Sequence, residues 1–196
     1  MASNVEICNI ALTRLGQETI NSLDEESTEA KKCNILFDPL RRETLRAHSW
    51  SFATKMRSLA KSANDTVPRW EHVYIYPKDC IYVQKVYGPE GEDELAEFRK
   101  VHSNTGTYLV LATNVDSAIM EYTTNVTDST LFDSLFVSAL AWNMAANLAQ
   151  SLTADPQIIK QTSEMYHYTL DLAKVSNKSE QHTKDTTVSS FITARG

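Results

Sequence analysis

The chain has 196 residues, with 42% hydrophobic and 22% charged content and a formal charge of −6, all ordinary for a folded globular protein. The acidic balance argues against a protein whose task is to grip nucleic acid, which carries a basic excess. No apolar run reaches the roughly 18–20 residues that span a bilayer, and three cysteines without a CxxC pair suggest neither a disulfide framework nor a zinc knuckle.

The opening MASNVEICNIALTRLGQ lacks a basic n-region and a cleavage pattern and reads as an amphipathic helix, so a chain that stays in the cytoplasm where it is made is expected. Ser3 and Glu6 form a capping box. Val5, Cys8, Leu12 and Leu15 give the apolar face, with Ile7, Ile10 and Ala11 flanking it, and Gly16 is a natural stop. Ser27 caps a second helix, with Glu29 in its first turn. Its buried face is read as Ala30, Cys33, Leu36, Phe37, Leu40, Thr44 and Ala47. Pro39 inside that pattern predicts a kink or a break. Beyond it, Arg41, Arg42 and Arg46 read as a solvated face or as ion pairs, and Trp50 and Phe52 seat the helix end. SANDTVPRW (62–70) has linker composition.

From Trp70 to Thr124 the period changes from helical to two. Val73 and Ile75 alternate with Tyr74 and Tyr76. A strand carries Ile81, Val83 and Tyr87, and PEGEDE (89–94) is an acidic loop. EFRKV and TYLVLAT read as a hairpin across HSNTG, and SAIMEYT is the last strand. These segments predict one small antiparallel sheet of four or five strands. Asp128 to Leu152 then runs without proline or glycine and is apolar on most of its circumference, as a helix buried on several sides requires. Asp155 and Pro156 start a fourth helix that is expected to end near Val175. The polar residues that follow, with Phe191 and Ile192 near the end, read as a disordered arm with a short sticky tip.

The fold class expected is therefore α+β. An antiparallel bundle of about four helices (1–55 and 125–175) carries a β-sheet insert at 56–124 between helices 2 and 3, and a flexible C-terminal arm occupies 176–196.

Chemistry-bearing motifs are sparse. No phosphate-binding glycine loop, GxSxG or HExxH occurs. Glu164 and His167 have the spacing of half a carboxylate-bridged metal site, but the other half is missing. Glu121 and Asp116 are a conceivable carboxylate pair of the glycosidase kind. The sheet tyrosines could stack on bases or sugars, although packing explains them more simply. The residues by themselves suggest an assembly component, with no catalytic residue, metal or cofactor expected.

Three stretches carry a resemblance. They are NIALTRLGQETINSLDEESTEAKKC; LFDPLRRETLRAHSWSFA followed by YIYPKDCIYVQKVYG; and MEYTTNVTDSTLFDSLFVSALAWNMAANLAQSLT. Together they resemble the tail tubular protein A family, head-to-tail adaptors of short-tailed bacteriophages. The shared pattern is an arginine-rich helix end with W-x-F-A (Arg41, Arg42, Arg46, Trp50, Phe52, Ala53), a proline-aspartate step (Pro77, Asp79), and a Y-x-x-x-V-T-D lead into an alanine-rich helix (Tyr122, Val126, Thr127, Asp128). The terminal SSFITARG is similar to the family's short apolar-plus-arginine ending. The resemblance covers roughly residues 5 to 175 in order.

It implies a virion protein of the tail or neck: a homo-oligomeric ring of about twelve copies. The ring would dock between the portal protein and the tail nozzle (tail tubular protein B-like), with viral DNA passing through without specific binding. Phe191, Ile192 and Arg195 would form a portal-docking arm, and the cluster Arg41, Arg42, Arg46, Trp50 and Phe52 a helix-end interface. A virion-associated glycan or peptidoglycan hydrolase and a non-viral helical binding module are the alternative readings.

Overall fold

A computed structural model describes residues 2–91 and 95–180. The protein is α+β, with four helices and two three-stranded antiparallel sheets among the described residues. Helix α1 spans Asn4–Arg14, α2 Thr28–Arg46, α3 Ser134–Leu152 and α4 Pro156–Glu180. Strands β1 (Thr54–Ser58), β2 (His72–Ile75), β3 (Cys80–Tyr87), β4 (Phe98–His102), β5 (Leu109–Thr113) and β6 (Ile119–Thr124) lie between α2 and α3 in the chain.

Capping fixes the helix starts. Ser3 Oγ accepts from the Glu6 amide at 3.1 Å while a Glu6 carboxylate oxygen accepts from the Ser3 amide at 2.6 Å. These bonds satisfy donors that the first turn would leave orphaned. Ser27 caps α2, and Asp155 accepts from the Gln157 amide at 2.8 Å. Gly16, with φ +67°, takes the left-handed turn after α1.

The predicted helix from Asp128 is shorter than expected. Asp128 caps only a 3-10 turn at Ser129–Leu131. Asp133 then breaks the run by accepting from the amides of Leu135 and Phe136, so α3 starts at Ser134. A second aspartate able to cap is enough to reset the start. Pro39 does not split α2, which continues through it. The carbonyl deprived of its donor belongs to Ile35, which is 72% exposed, so water can take its place.

Helices α1, α2 and α4 all pack on α3. Helix α2 runs antiparallel to α3: Asn143 Nδ2 donates to Thr44 Oγ1 at 3.3 Å, and Lys32 reaches the Ser151 carbonyl at the other end. The core between them holds Leu12, Phe37, Leu45, Phe136, Leu140 and Met144. Each such side chain contributes roughly 1.5–3 kcal/mol by leaving water. The alanines of α3 (Ala139, Ala141, Ala145, Ala149) are fully buried, which permits close approach of its neighbours. On α1 the buried residues are Ile7, Cys8, Ala11 and Leu12. Leu15, just past the helix, is buried as well, so the expected face holds except for Val5, which is half-buried, and it widens to include Ile7 and Ala11.

The expected single sheet is in fact two, ordered β1-β6-β3 and β2-β5-β4. Their facing sides share Tyr74, Tyr76, Val86, Leu111, Met120 and Tyr122. Alternation reveals strands but not their partners, so the division was not readable. Strand β1, TKMRS, escaped prediction because it is an exposed edge strand with almost no buried residue to alternate. The 62–70 segment is not a free linker: Val67 and Trp70 pack on Val73, Val110 and Ala112 of the second sheet. Asp65 pins it by accepting from Ser62, Tyr108 and the Asn104 amide.

Helix α4 continues past the expected Val175 as far as the described residues reach, to Glu180. The reason is Asn177, which is buried and tied to the 48–51 segment. Residues 92–94 of the acidic loop, and Phe191, Ile192 and Arg195, lie outside the described residues.

Candidate functional site: the joint between helices and sheets

The sequence elements singled out above fall into a joint and a surface. The arginine cluster divides between them. Arg41 is 2% exposed, and its guanidinium donates to the Val126 carbonyl and to the Asp38 carboxylate. Its position is dictated by spacing: it lies one turn after Phe37 and directly after Leu40, on the face turned inward. A charged group there is tolerated because both ends of its fork are bonded.

Arg42 and Arg46 are exposed. Arg46 donates to the Ile81 carbonyl at 3.1 Å and lies over the Tyr82 ring, 5.4 Å from its centroid, bridging α2 to β3. Arg42 lines a cleft of about 920 Å³ together with Tyr76, Lys78, Cys80 and Tyr108.

Trp50 and Phe52 belong to the core. The Trp50 indole N–H donates to the Thr44 carbonyl at 3.0 Å. Its ring meets Phe136 edge-on at 5.1 Å, Phe52 meets Phe136 at 5.0 Å, and Phe132 completes the group at 4.9 Å from Phe136. The W-x-F-A element is therefore where the helices hand over to β1, with Ala53 wholly buried behind it.

The proline-aspartate step and the Y-x-x-x-V-T-D lead meet at a single side chain, Asp79. Its carboxylate accepts from Thr124 Oγ1 at 2.9 Å, Lys55 Nζ at 3.1 Å and the Tyr122 hydroxyl at 3.2 Å. Its carbonyl accepts from the Asn125 amide at 2.7 Å. Burial pushes the Asp79 carboxyl up, but the bonds from Thr124, Lys55 and Tyr122 outweigh it and hold it below its ordinary range. One residue further on, Val126 offers its carbonyl to Arg41. The first sheet, the β6–α3 connection and α2 are thus joined through Asp79, Val126 and Arg41. Nothing in the sequence alone shows that these separate motifs touch.

The residues weighed for catalysis are engaged elsewhere. Glu121, in β6, faces Lys85 of β3 at 3.6 Å, and Asp116 pairs with Lys61. Glu164 pairs with Lys160 one turn away at 3.8 Å, and His167 lies against the Tyr166 ring. Among the described residues no group of three or more His, Cys, Asp or Glu is placed to hold a metal ion. Cys8 and Cys33 are buried against each other across α1 and α2. Their mutual hydrogen bond, reinforced by burial, keeps the Cys8 thiol protonated far above its usual range.

Arg14, at the end of α1, covers Trp142, its guanidinium carbon 3.9 Å from the ring centroid, and donates to Ser138. Burial lowers its pKa to about 10. No described helix is long and apolar enough to cross a membrane. No protein-family model matches the chain, and a search of curated proteins finds no match either.

Proposed function

We propose that this chain is a structural virion protein, a head-to-tail adaptor. Its copies form a ring between a portal and a tail nozzle, and DNA passes through it without being held. The observation that supports the reading most is the joint. The motifs that carry the resemblance (Arg41, Trp50, Asp79, Tyr122 and Val126) are far apart in sequence, yet they serve one mechanical purpose. An adaptor must hold two binding faces in fixed relation, and welding helices to sheets through buried bonds does that.

In this reading the helices are the antiparallel bundle that builds the ring and 56–124 is the inserted sheet unit. The residues after Glu180, with Phe191, Ile192 and Arg195, supply the portal contact. The acidic balance suits a channel, since basic rings would arrest DNA through its phosphates. A ring also needs unlike patches that meet between neighbouring copies, and the exposed sheet edges and helix faces offer them.

The test is mass and shape in solution, with and without the cognate portal, by light scattering and negative-stain imaging. A ring on the portal of matching symmetry is expected. A protein that stays small and ignores the portal refutes the adaptor reading, and glycan cleavage would then be assayed. Truncation after Glu180, which leaves Asn177 in place, should give a folded protein with reduced portal affinity. Unchanged affinity rejects the docking role of Phe191, Ile192 and Arg195.

A further inference from the structure

Helix α4 buries Thr162, Thr169, Leu170, Ala173 and Asn177. On its other side Tyr168, Leu172 and Val175 are 61%, 44% and 68% exposed, and the half-buried Met165 extends the row. Their spacing of three, four and three is that of a coiled-coil seam. Along one edge of the seam stand Glu164 and Asp171, with Lys178 at the C-terminal end. This edge is acidic toward the helix start and basic toward its end.

We propose that the seam is a self-association surface, on which α4 of a second copy lies antiparallel about a two-fold axis near Leu172. The argument for a second copy is self-complementarity. Turning the helix end over end about that point sets Tyr168 against Val175 of the other copy and Leu172 against its counterpart. It also brings Glu164 within one residue of the level of Lys178 of the other copy, on the same edge, twice by symmetry. An antiparallel pair of helices matches edges in this way, and an isologous contact needs one patch that fits itself. A parallel pair would put like residues at like heights and leave Glu164 and Lys178 of the two copies far apart along the axis. The two Asp171 side chains approach each other at the axis, each bridged to its own Lys174 at 3.3 Å, which keeps the association modest. So does its size, because stable specific interfaces bury about 1,200–2,000 Å² and this seam has three large exposed side chains per copy. A two-fold contact closes after two copies, whereas a ring needs a heterologous one. The pairing is therefore independent of the adaptor reading.

The experiment is sedimentation velocity on the full chain over a concentration series, with four substitution variants and a truncation after Glu180. Reversible dimerisation is expected. Leu172→Glu should weaken it at least tenfold while the monomer stays folded by far-ultraviolet circular dichroism, because the residue is 44% exposed. Glu164→Lys and Lys178→Glu should each weaken it, and the double exchange should restore it, which only cross-copy pairing of these two positions predicts. A monomer at every concentration overturns the proposal. So does a dimer that ignores Leu172→Glu, a double exchange no better than its parts, or a dimer lost only on truncation after Glu180. None of these outcomes bears on ring formation at a portal.

Discussion

Arg41 provides the most discriminating test of the joint. If it is a bonded, buried group rather than a surface contact, its substitutions follow an order that size or charge alone would not give. Arg41→Met keeps the stem but orphans the Val126 carbonyl, at a cost of about 1–3 kcal/mol. Against that stands relief from holding a guanidinium 2% exposed, and exchanging a buried ion for a well-packed apolar residue is often neutral or better. A net loss of about 0–2 kcal/mol is expected for methionine.

Arg41→Ala adds a cavity where the stem packed and should lose about 2–4 kcal/mol. Arg41→Lys keeps a charge in place, but an ammonium cannot bond Val126 and Asp38 with a planar fork. A poorly satisfied buried charge costs about 3–5 kcal/mol, so lysine should be the worst of the three. The assay is urea unfolding followed by tryptophan fluorescence, comparing midpoints at constant slope. The apparently conservative lysine proving mildest, or all three lying within about 0.5 kcal/mol of the parent, would refute the account and return Arg41 to the surface.

Three further outcomes follow from local geometry. Asn177 Oδ1 accepts from Ser51 N and Oγ, which turns its amide nitrogen toward His48 Nε2 at 3.1 Å; His48 must accept there. Burial, with Lys178 and Lys174 nearby, lowers the His48 pKa. The unfolded chain then binds the extra proton first, so stability is full above the ordinary histidine value near 6.5 and falls as pH drops through it. His48→Gln should flatten that slope in pH-dependent unfolding. Gly16→Ala places a side chain at φ +67° with no neighbour within 4 Å, so only backbone strain remains, about 1–2 kcal/mol in urea unfolding. Trp50→Phe removes the bond to the Thr44 carbonyl and part of the ring contact with Phe136. It should cost about 2–3 kcal/mol in urea unfolding and change the near-ultraviolet circular dichroism.

Local rules carried the reading of the elements. Ser3, Ser27, Asp155 and Pro156 start helices because capping chemistry acts within one turn, and the strands around Val73 and Met120 announce themselves by alternation. Interactions between distant residues could not be read in this way. Arg41 looks like a solvated arginine until its neighbours Phe37 and Leu40 are placed, although its one-turn spacing from Phe37 was an available signal. The division into two sheets depends on pairings such as Met56 with Glu121, which leave no trace in either strand alone. The continuation of α4 past Val175 depends on Asn177, a residue that reads as polar tail until its four bonds to the 48–51 segment are seen.

That tether sets how the protein carries a load. A pull on the residues beyond Glu180 enters α4 close to Asn177. It passes directly into the backbone and side chains of His48, Ser49 and Ser51, beside the Trp50 indole. All four hydrogen bonds leave one side chain, so a load there bears on the 48–51 segment as a group. Tension along the C-terminal end would therefore be passed to the segment that seats Trp50 in the aromatic core, as well as to the packing of α4 on α3.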